Sequence, residues 1–190
     1  MLGRLLLIIS SCNSALLSYL SQRQERDWHL SRYDFRFSCT ERVRWSDCDA
    51  QGIVFNGSYF DYLEVAQADY FRNLGFVLYD PDGRRHFDTA TVKATLEYIS
   101  PARVDDLIEI CWKVERIGNS SLTTRSEIHN RASGDLLLRA EIIYVNFDSD
   151  ASVSRRVPDD LRTLIETYEK TGEIIPLDKL PGLAGLARRA

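Results

Sequence analysis

The residues best equipped for chemistry stand together in one short run, Asp47-Cys48-Asp49-Ala50-Gln51-Gly52-Ile53-Val54-Phe55-Asn56-Gly57-Ser58-Tyr59. Two carboxylates, two glycines and an apolar triplet make an odd mixture for a plain connector. Gly52 and Gly57 let the backbone turn tightly or approach a ligand closely. Ile53, Val54 and Phe55 are costly to leave in water, so the run is expected to be buried against something. Where a helix opens at the end of such a run, its unpaired N–H groups and the positive end of its dipole can receive a developing negative charge. That is an oxyanion hole suited to a carbonyl under attack. Taken alone, Asp49 reads first as a turn or capping residue, because Asp commonly bonds its own backbone. Cys48, between two aspartates, is a poor nucleophile, since negative neighbours raise a thiol pKa.

The elements that must position this run follow from periodicity. Tyr33, Phe35, Phe37, Cys39, Val43 and Trp45 fall at odd positions with polar residues mostly between them, which predicts a first strand. After the run, Tyr59, Tyr62, Leu63, Ala66, Tyr70 and Leu74 recur at helical spacing, with Asp61, Glu64, Gln67 and Arg72 among them. This predicts one long amphipathic helix, its start capped by Asn56 or Ser58, with Ser58 and Asp61 as a capping box and Gly75 at C′. A loop containing Asp80-Pro81-Asp82-Gly83 follows. Four strand-like runs come next, through Val92–Tyr98, Ile108–Val114, Leu122–Asn130 and Leu136–Phe147, and Pro158 opens a short helix, Asp159 to Lys170. An antiparallel sheet of five or more strands with the long helix against one face buries every apolar stripe, so the fold class is α+β. The expected organisation is an N-terminal extension over residues 1–32, one domain over 33–170 and a C-terminal tail over 171–190.

Composition limits what this domain can do. The chain has 190 residues, 44% hydrophobic and 27% charged, which suits one soluble α+β domain. A formal net charge of -4 without a long basic run argues against nucleic acid as a partner. Cys12, Cys39, Cys48 and Cys111 have neither CxxC spacing nor the density of a disulfide scaffold, so a reducing cytoplasm is expected. Leu5 to Ile9 is an apolar run after Arg4, and Ile9-Ser10-Ser11-Cys12 loosely resembles the box before a lipidated cysteine, but five apolar residues are short for export or a membrane span. Stable membrane insertion is not expected. No nucleotide-binding glycine pattern, serine elbow or metal-ligand cluster occurs.

The run Arg44-Trp45-Ser46-Asp47-Cys48-Asp49-Ala50-Gln51-Gly52-Ile53-Val54-Phe55-Asn56-Gly57-Ser58-Tyr59-Phe60-Asp61-Tyr62-Leu63-Glu64 resembles the signature of the 4-hydroxybenzoyl-CoA thioesterase family, in its D-x-D-x-x-G-[IV]-V pattern and aromatic-rich helix opening. The resemblance extends over roughly residues 37–168. It implies a hot-dog fold, with the sheet wrapped around the long central helix, and a homodimer or homotetramer with active sites between subunits. It also implies hydrolysis of an acyl-CoA substrate without metal or other cofactor. By position, Asp49 matches the catalytic carboxylate, acting as nucleophile or as general base for water. The backbone N–H groups of Asn56 and Gly57 match the oxyanion site, although some members carry an aromatic residue where this chain has Asn56. Phe55, Tyr59 and Glu64 are candidate substrate-binding residues, with core packing and a solvated helix face as their ordinary explanations, and Asp47 is expected to shape the loop.

Other functions make different demands on the sequence. A hydratase or dehydratase on a related fold needs a histidine base near the loop and helix, but His29, His86 and His129 all lie outside residues 47–74. A non-catalytic acyl-CoA binding or sensing module would not require Asp49, and a thioesterase acting on acyl carrier protein is a variant of the hydrolase. Arg84-Arg85-His86, Arg103 and Arg131 could meet coenzyme A phosphates, with solvated loops as the simpler explanation.

Overall fold

A computed structural model describes residues 31–78 and 87–183. The N-terminal extension up to residue 30 and the loop with Arg84-Arg85-His86 lie outside them, as do His29 and Cys12. The described residues from Phe35 onward form one compact unit, and within the other unit Arg32–Asp34 is a short 3-10 turn. The sheet therefore starts later than the alternation from Tyr33 predicts. Strand β1 is Phe37–Arg42, helix α1 is Ser58–Asn73, and strands β2 to β6 are Thr89–Tyr98, Leu107–Ile117, Ser121–Asn130, Leu136–Asp148 and Val153–Ser154. Helix α2, Asp159–Thr171, follows.

All strand pairs are antiparallel, in the order β1-β3-β4-β5-β2, with β6 on the end of β5. Register decides which side chains meet the helix. Phe37 and Cys39 stand opposite Trp112 and Ile110, and the row continues through Ile128, Leu138, Ala140 and Ile142. Against it α1 lays Tyr59, Tyr62, Leu63, Ala66, Tyr70 and Phe71, all buried. Tyr70 sits at the centre, 4.5 Å from the Trp112 ring and 5.7 Å from Phe37 between ring centroids. The hot-dog arrangement is thus built from side chains that the helical and strand periodicities place on facing surfaces.

Three local expectations are corrected. Trp45 is 83% exposed, because the chain leaves the sheet after Arg42 and turns through a 3-10 segment, Trp45–Asp47. Gly57, not Asn56 or Ser58, is the N-cap residue of α1, and no side chain caps it; Ser58 instead donates its hydroxyl to the Asp47 carbonyl at 3.1 Å. The apolar side of β2 is also not dry, since Val92 is 61% and Tyr98 51% exposed. At the other end, Gly75 follows α1 with φ +86°, as a C′ glycine should. Beyond α2, Leu177, Leu180 and Leu183 are buried in the main core. Among the described residues no helix is long and apolar enough to cross a membrane.

Candidate active site at the start of the central helix

Residues 47–56 form a small ribbon leading into α1. Cys48 bridges to Val54, the Phe55 N–H donates to the Asp47 carbonyl at 2.8 Å, and the Asp49 N–H donates to the Ile53 carbonyl at 2.9 Å. Gly52, with φ +73°, takes the left-handed conformation at the tip and donates to the Asp49 carbonyl. Ile53 bridges to Arg103, and the Val54 N–H donates to the Ala102 carbonyl, which ties the ribbon to the β2–β3 connection. Strand spacing then holds Asp49 within about 10 Å of the helix start. Its carboxylate is exposed, with Oδ1 accepting the Gln51 N–H at 2.7 Å. The turn role and an outward-facing carboxylate therefore coexist in one residue.

Asp47 is the knot beneath. Buried at 7% exposure, it accepts at Oδ2 from the Tyr62 hydroxyl at 2.6 Å, the Arg44 N–H at 2.8 Å and the Arg44 guanidinium Nε at 3.1 Å. Burial pushes its carboxyl pKa up, but the hydrogen bonds from Tyr62 and Arg44, with the Arg44 charge, outweigh that and hold it below the usual carboxylate range. Tyr62 responds in the opposite sense: burial, then the bond and charge of Asp47, raise its phenol. Cys48 is raised by burial first and by Asp47 and Asp49 next, so it stays a thiol, and its Sγ donates to the Arg44 carbonyl at 3.8 Å. The expectation that Asp47 shapes the loop did not extend to Tyr62. Only its place on the buried helix stripe, fifteen residues on, could have suggested it.

At the helix start the Asn56 N–H donates to no described residue, while the Gly57 N–H donates to Asn56 Oδ1 at 3.0 Å. The Asn56 carbonyl accepts the Tyr98 hydroxyl at 3.0 Å, so β2 holds this peptide in place. A Cβ at Gly57 would stand 2.7 Å from the Phe55 ring, so any side chain there must displace that ring. Phe55 is half-exposed over the site; Tyr59 is 3% exposed, a core residue packed edge-on to Tyr98. Glu64 is exposed and lines a cavity of about 220 Å³ with Phe60, Gln67, Thr89, Thr91, Ile142 and Tyr144. Arg103 is exposed beside the ribbon, the Arg131 guanidinium donates to the Thr40 hydroxyl on β1 at 3.5 Å, and His129 pairs with Glu127 on β4 at 3.1 Å. Among the described residues no group of three or more His, Cys, Asp or Glu side chains could hold a metal ion.

Residues 51–137 match a family model described as the thioesterase superfamily. An acyl-CoA thioester hydrolase YbgC from Escherichia coli is 32% identical over 120 residues, covering 63% of this chain and 88% of that protein. An acyl-CoA thioesterase YbgC from Haemophilus influenzae is 26% identical over 89 residues, covering 47% of this chain and 65% of its own. Among solved structures, a DHNA-CoA thioesterase from Staphylococcus aureus superposes with a TM-score of 0.64 at 19% identity, over 73% of this chain and 95% of that one. A Thermus thermophilus thioesterase solved with coenzyme A and zinc gives 0.61 at 22% identity, over 72% and 96%.

Proposed function

The chain belongs to the thioesterase superfamily, and from that premise we propose that it hydrolyses a small or medium acyl-CoA to the free acid and coenzyme A, with Asp49 as the reacting carboxylate. It is a thioester hydrolase. The observation that carries the assignment of roles is the pairing of an exposed Asp49 carboxylate with the unengaged Asn56 N–H at the mouth of α1. A thioester carbonyl laid on the Asn56 N–H has its oxygen at the positive end of the helix and its carbon facing the ribbon tip. Asp49 then attacks that carbon, expelling coenzyme A thiolate and leaving a mixed anhydride that water cleaves, or draws a proton from a water that attacks instead. The Gly57 N–H joins the oxyanion site only when the Asn56 side chain swings off it. Neither route calls for a metal.

Two further parts of the reading concern surroundings. An exposed carboxylate is well hydrated, and a site that excludes water strengthens every charge interaction in it. A second copy of the chain supplies that cover. β2 is an edge strand whose free backbone groups and exposed Val92, Tyr98 and Ile99 form a surface of the kind proteins pair or protect. A homodimer through this edge is therefore part of the proposal, a homotetramer being its doubled form. The cytoplasm is the proposed compartment, since Cys39 and Cys48 are thiols in a fold that uses no disulfide among the described residues.

The test is release of free thiol from short, medium and aromatic acyl-CoAs by the wild type and by Asp49→Asn. Turnover should fall by at least about a hundredfold in the variant with substrate binding retained. An active Asp49→Asn enzyme overturns the role of Asp49. A wild type that binds acyl-CoA without turning over any member favours a binding module, and one active only on acyl carrier protein moves the substrate there.

A further inference from the structure

Gln67 is out of keeping with its position. It lies on the buried stripe of α1, 2% exposed, among Leu63, Ala66, Tyr70 and Phe71. A primary amide in such a place ordinarily spends all its hydrogen-bonding capacity on neighbours, yet the Gln67 Nε2 has no hydrogen-bond partner. Leaving a buried donor unmet is costly, and methionine or leucine would fill the same volume without the cost. The residue also lines the cavity of about 220 Å³ between α1 and the β2 and β5 strands. An unmet buried amide in the wall of a cavity is what a site holds when the ligand supplies the missing partner.

The position of the cavity says which part of a ligand reaches it. On α1 it runs from Phe60, in the first turn of the helix, to Gln67. Helical side chains lean towards the N-terminus, so the Gln67 amide stands on the order of 10 Å along α1 from the Asn56 peptide. That is the far end of a medium-length acyl group whose thioester carbonyl rests at the helix start. The lining sorts what can sit there. Phe60 and Ile142 suit a hydrocarbon stem, Thr89 and Thr91 add hydroxyls, and the Glu64 carboxylate repels a negative group.

We propose that Gln67 reads the distal end of the acyl group, selecting acyl chains that carry a neutral oxygen, hydroxyl or carbonyl, over plain hydrocarbon chains and over dicarboxylic half-thioesters. This rests on the placement of the thioester at Asp49 and the start of α1. Gln67 touches the distal end alone and takes no part in bond breaking, so its effect falls on substrate choice.

The experiment compares octanoyl-CoA, 8-hydroxyoctanoyl-CoA and the CoA half-thioester of octanedioic acid on the wild type and on Gln67→Met, which keeps the volume and removes the donor. Thiol release gives kcat/KM, and calorimetry gives the affinity of the uncleavable thioethers S-octyl-CoA and S-(8-hydroxyoctyl)-CoA. The wild type should favour the hydroxylated chain roughly tenfold in both readouts and disfavour the carboxylate, and in Gln67→Met the ratio of the hydroxylated over the plain chain should fall towards one. A wild type without the preference, or a variant that loses both substrates equally, overturns the inference. The thioethers separate the two readings: hydroxyl preference in binding without turnover of any acyl-CoA keeps the role of Gln67 and discards the hydrolase chemistry, whereas turnover without preference does the reverse.

Discussion

At the scale of single residues the candidate site is organised around the buried Asp47 carboxylate. Asp47 gathers bonds from Tyr62 and Arg44 at its side chain and from Phe55 and Ser58 at its carbonyl, so ribbon and helix start move as one piece. Removing the Tyr62 hydroxyl takes a charge-assisted bond from a buried acceptor. Tyr62→Phe should cost about 1.5–3 kcal/mol in urea unfolding and lower kcat more than it raises KM, because the reacting groups lose alignment while the substrate surface is unchanged. The pH dependence has a definite sign. The Asp47 pKa is depressed in the folded protein, so its contribution is complete above its ordinary value of 3.8 and is lost as pH falls through the lower, folded value. Acid unfolding of Asp47→Asn, followed by circular dichroism below pH 4, should lack that component. A methyl at Gly57 meets Phe55 instead of solvent, so Gly57→Ala should displace that ring and reduce kcat/KM by roughly tenfold in the thiol assay.

At the scale of elements, α2 is more than a terminal ornament. It ends with Gly172 in the left-handed conformation and buries Leu161, Leu164, Ile165 and Tyr168 beside β3. It also inserts Glu169 under the sheet, where Oε1 accepts the Tyr70 hydroxyl at 2.8 Å and the Val114 N–H at 2.9 Å. Burial raises the Glu169 pKa, and the bonds from Val114 and Tyr70 with the Lys113 and Arg36 charges recover only part of the shift. A raised folded pKa means that wild-type stability declines as pH rises from about 4.5, the ordinary value, through the folded one. Glu169→Gln keeps the accepting oxygen and removes the ionisation. Thermal melts should find the variant ahead of the wild type at neutral pH, with the gap closing towards pH 4. A gap of equal size at every pH would mean that packing, not ionisation, separates them.

For the whole molecule the exposed edge at β2 is where the proposed dimer forms. The sheet ends there with exposed apolar side chains, and the Tyr98 hydroxyl of the same strand donates to the Asn56 carbonyl beside the proposed oxyanion site. Assembly and catalysis are therefore mechanically joined if a second copy docks on this edge. Val92→Lys, a charge on an exposed edge position that bonds to nothing in the site, should convert a dimer to monomer in sedimentation and reduce kcat/KM in parallel. A wild type that sediments as a monomer at assay concentration would end that part of the proposal.

Local periodicity was enough for the central helix and the four strands after it, because 3.6-residue and two-residue repeats are properties of neighbouring residues, whereas the bridge that makes residues 47–56 a ribbon is not. The sequence also reached the family, through the D-x-D-x-x-G-[IV]-V run. The sequence reading placed the helix cap at Asn56 or Ser58 instead of Gly57, and for Ser58 the competing acceptor, the Asp47 carbonyl, is eleven residues away. It extended β1 through Trp45 for a similar reason: alternation cannot register that the chain has left the sheet. Gln67 and Glu64 looked alike as polar residues on a helix. That one is buried with an unmet amide against a cavity and the other exposed at its wall follows from what packs across from each, which no spacing along the chain contains.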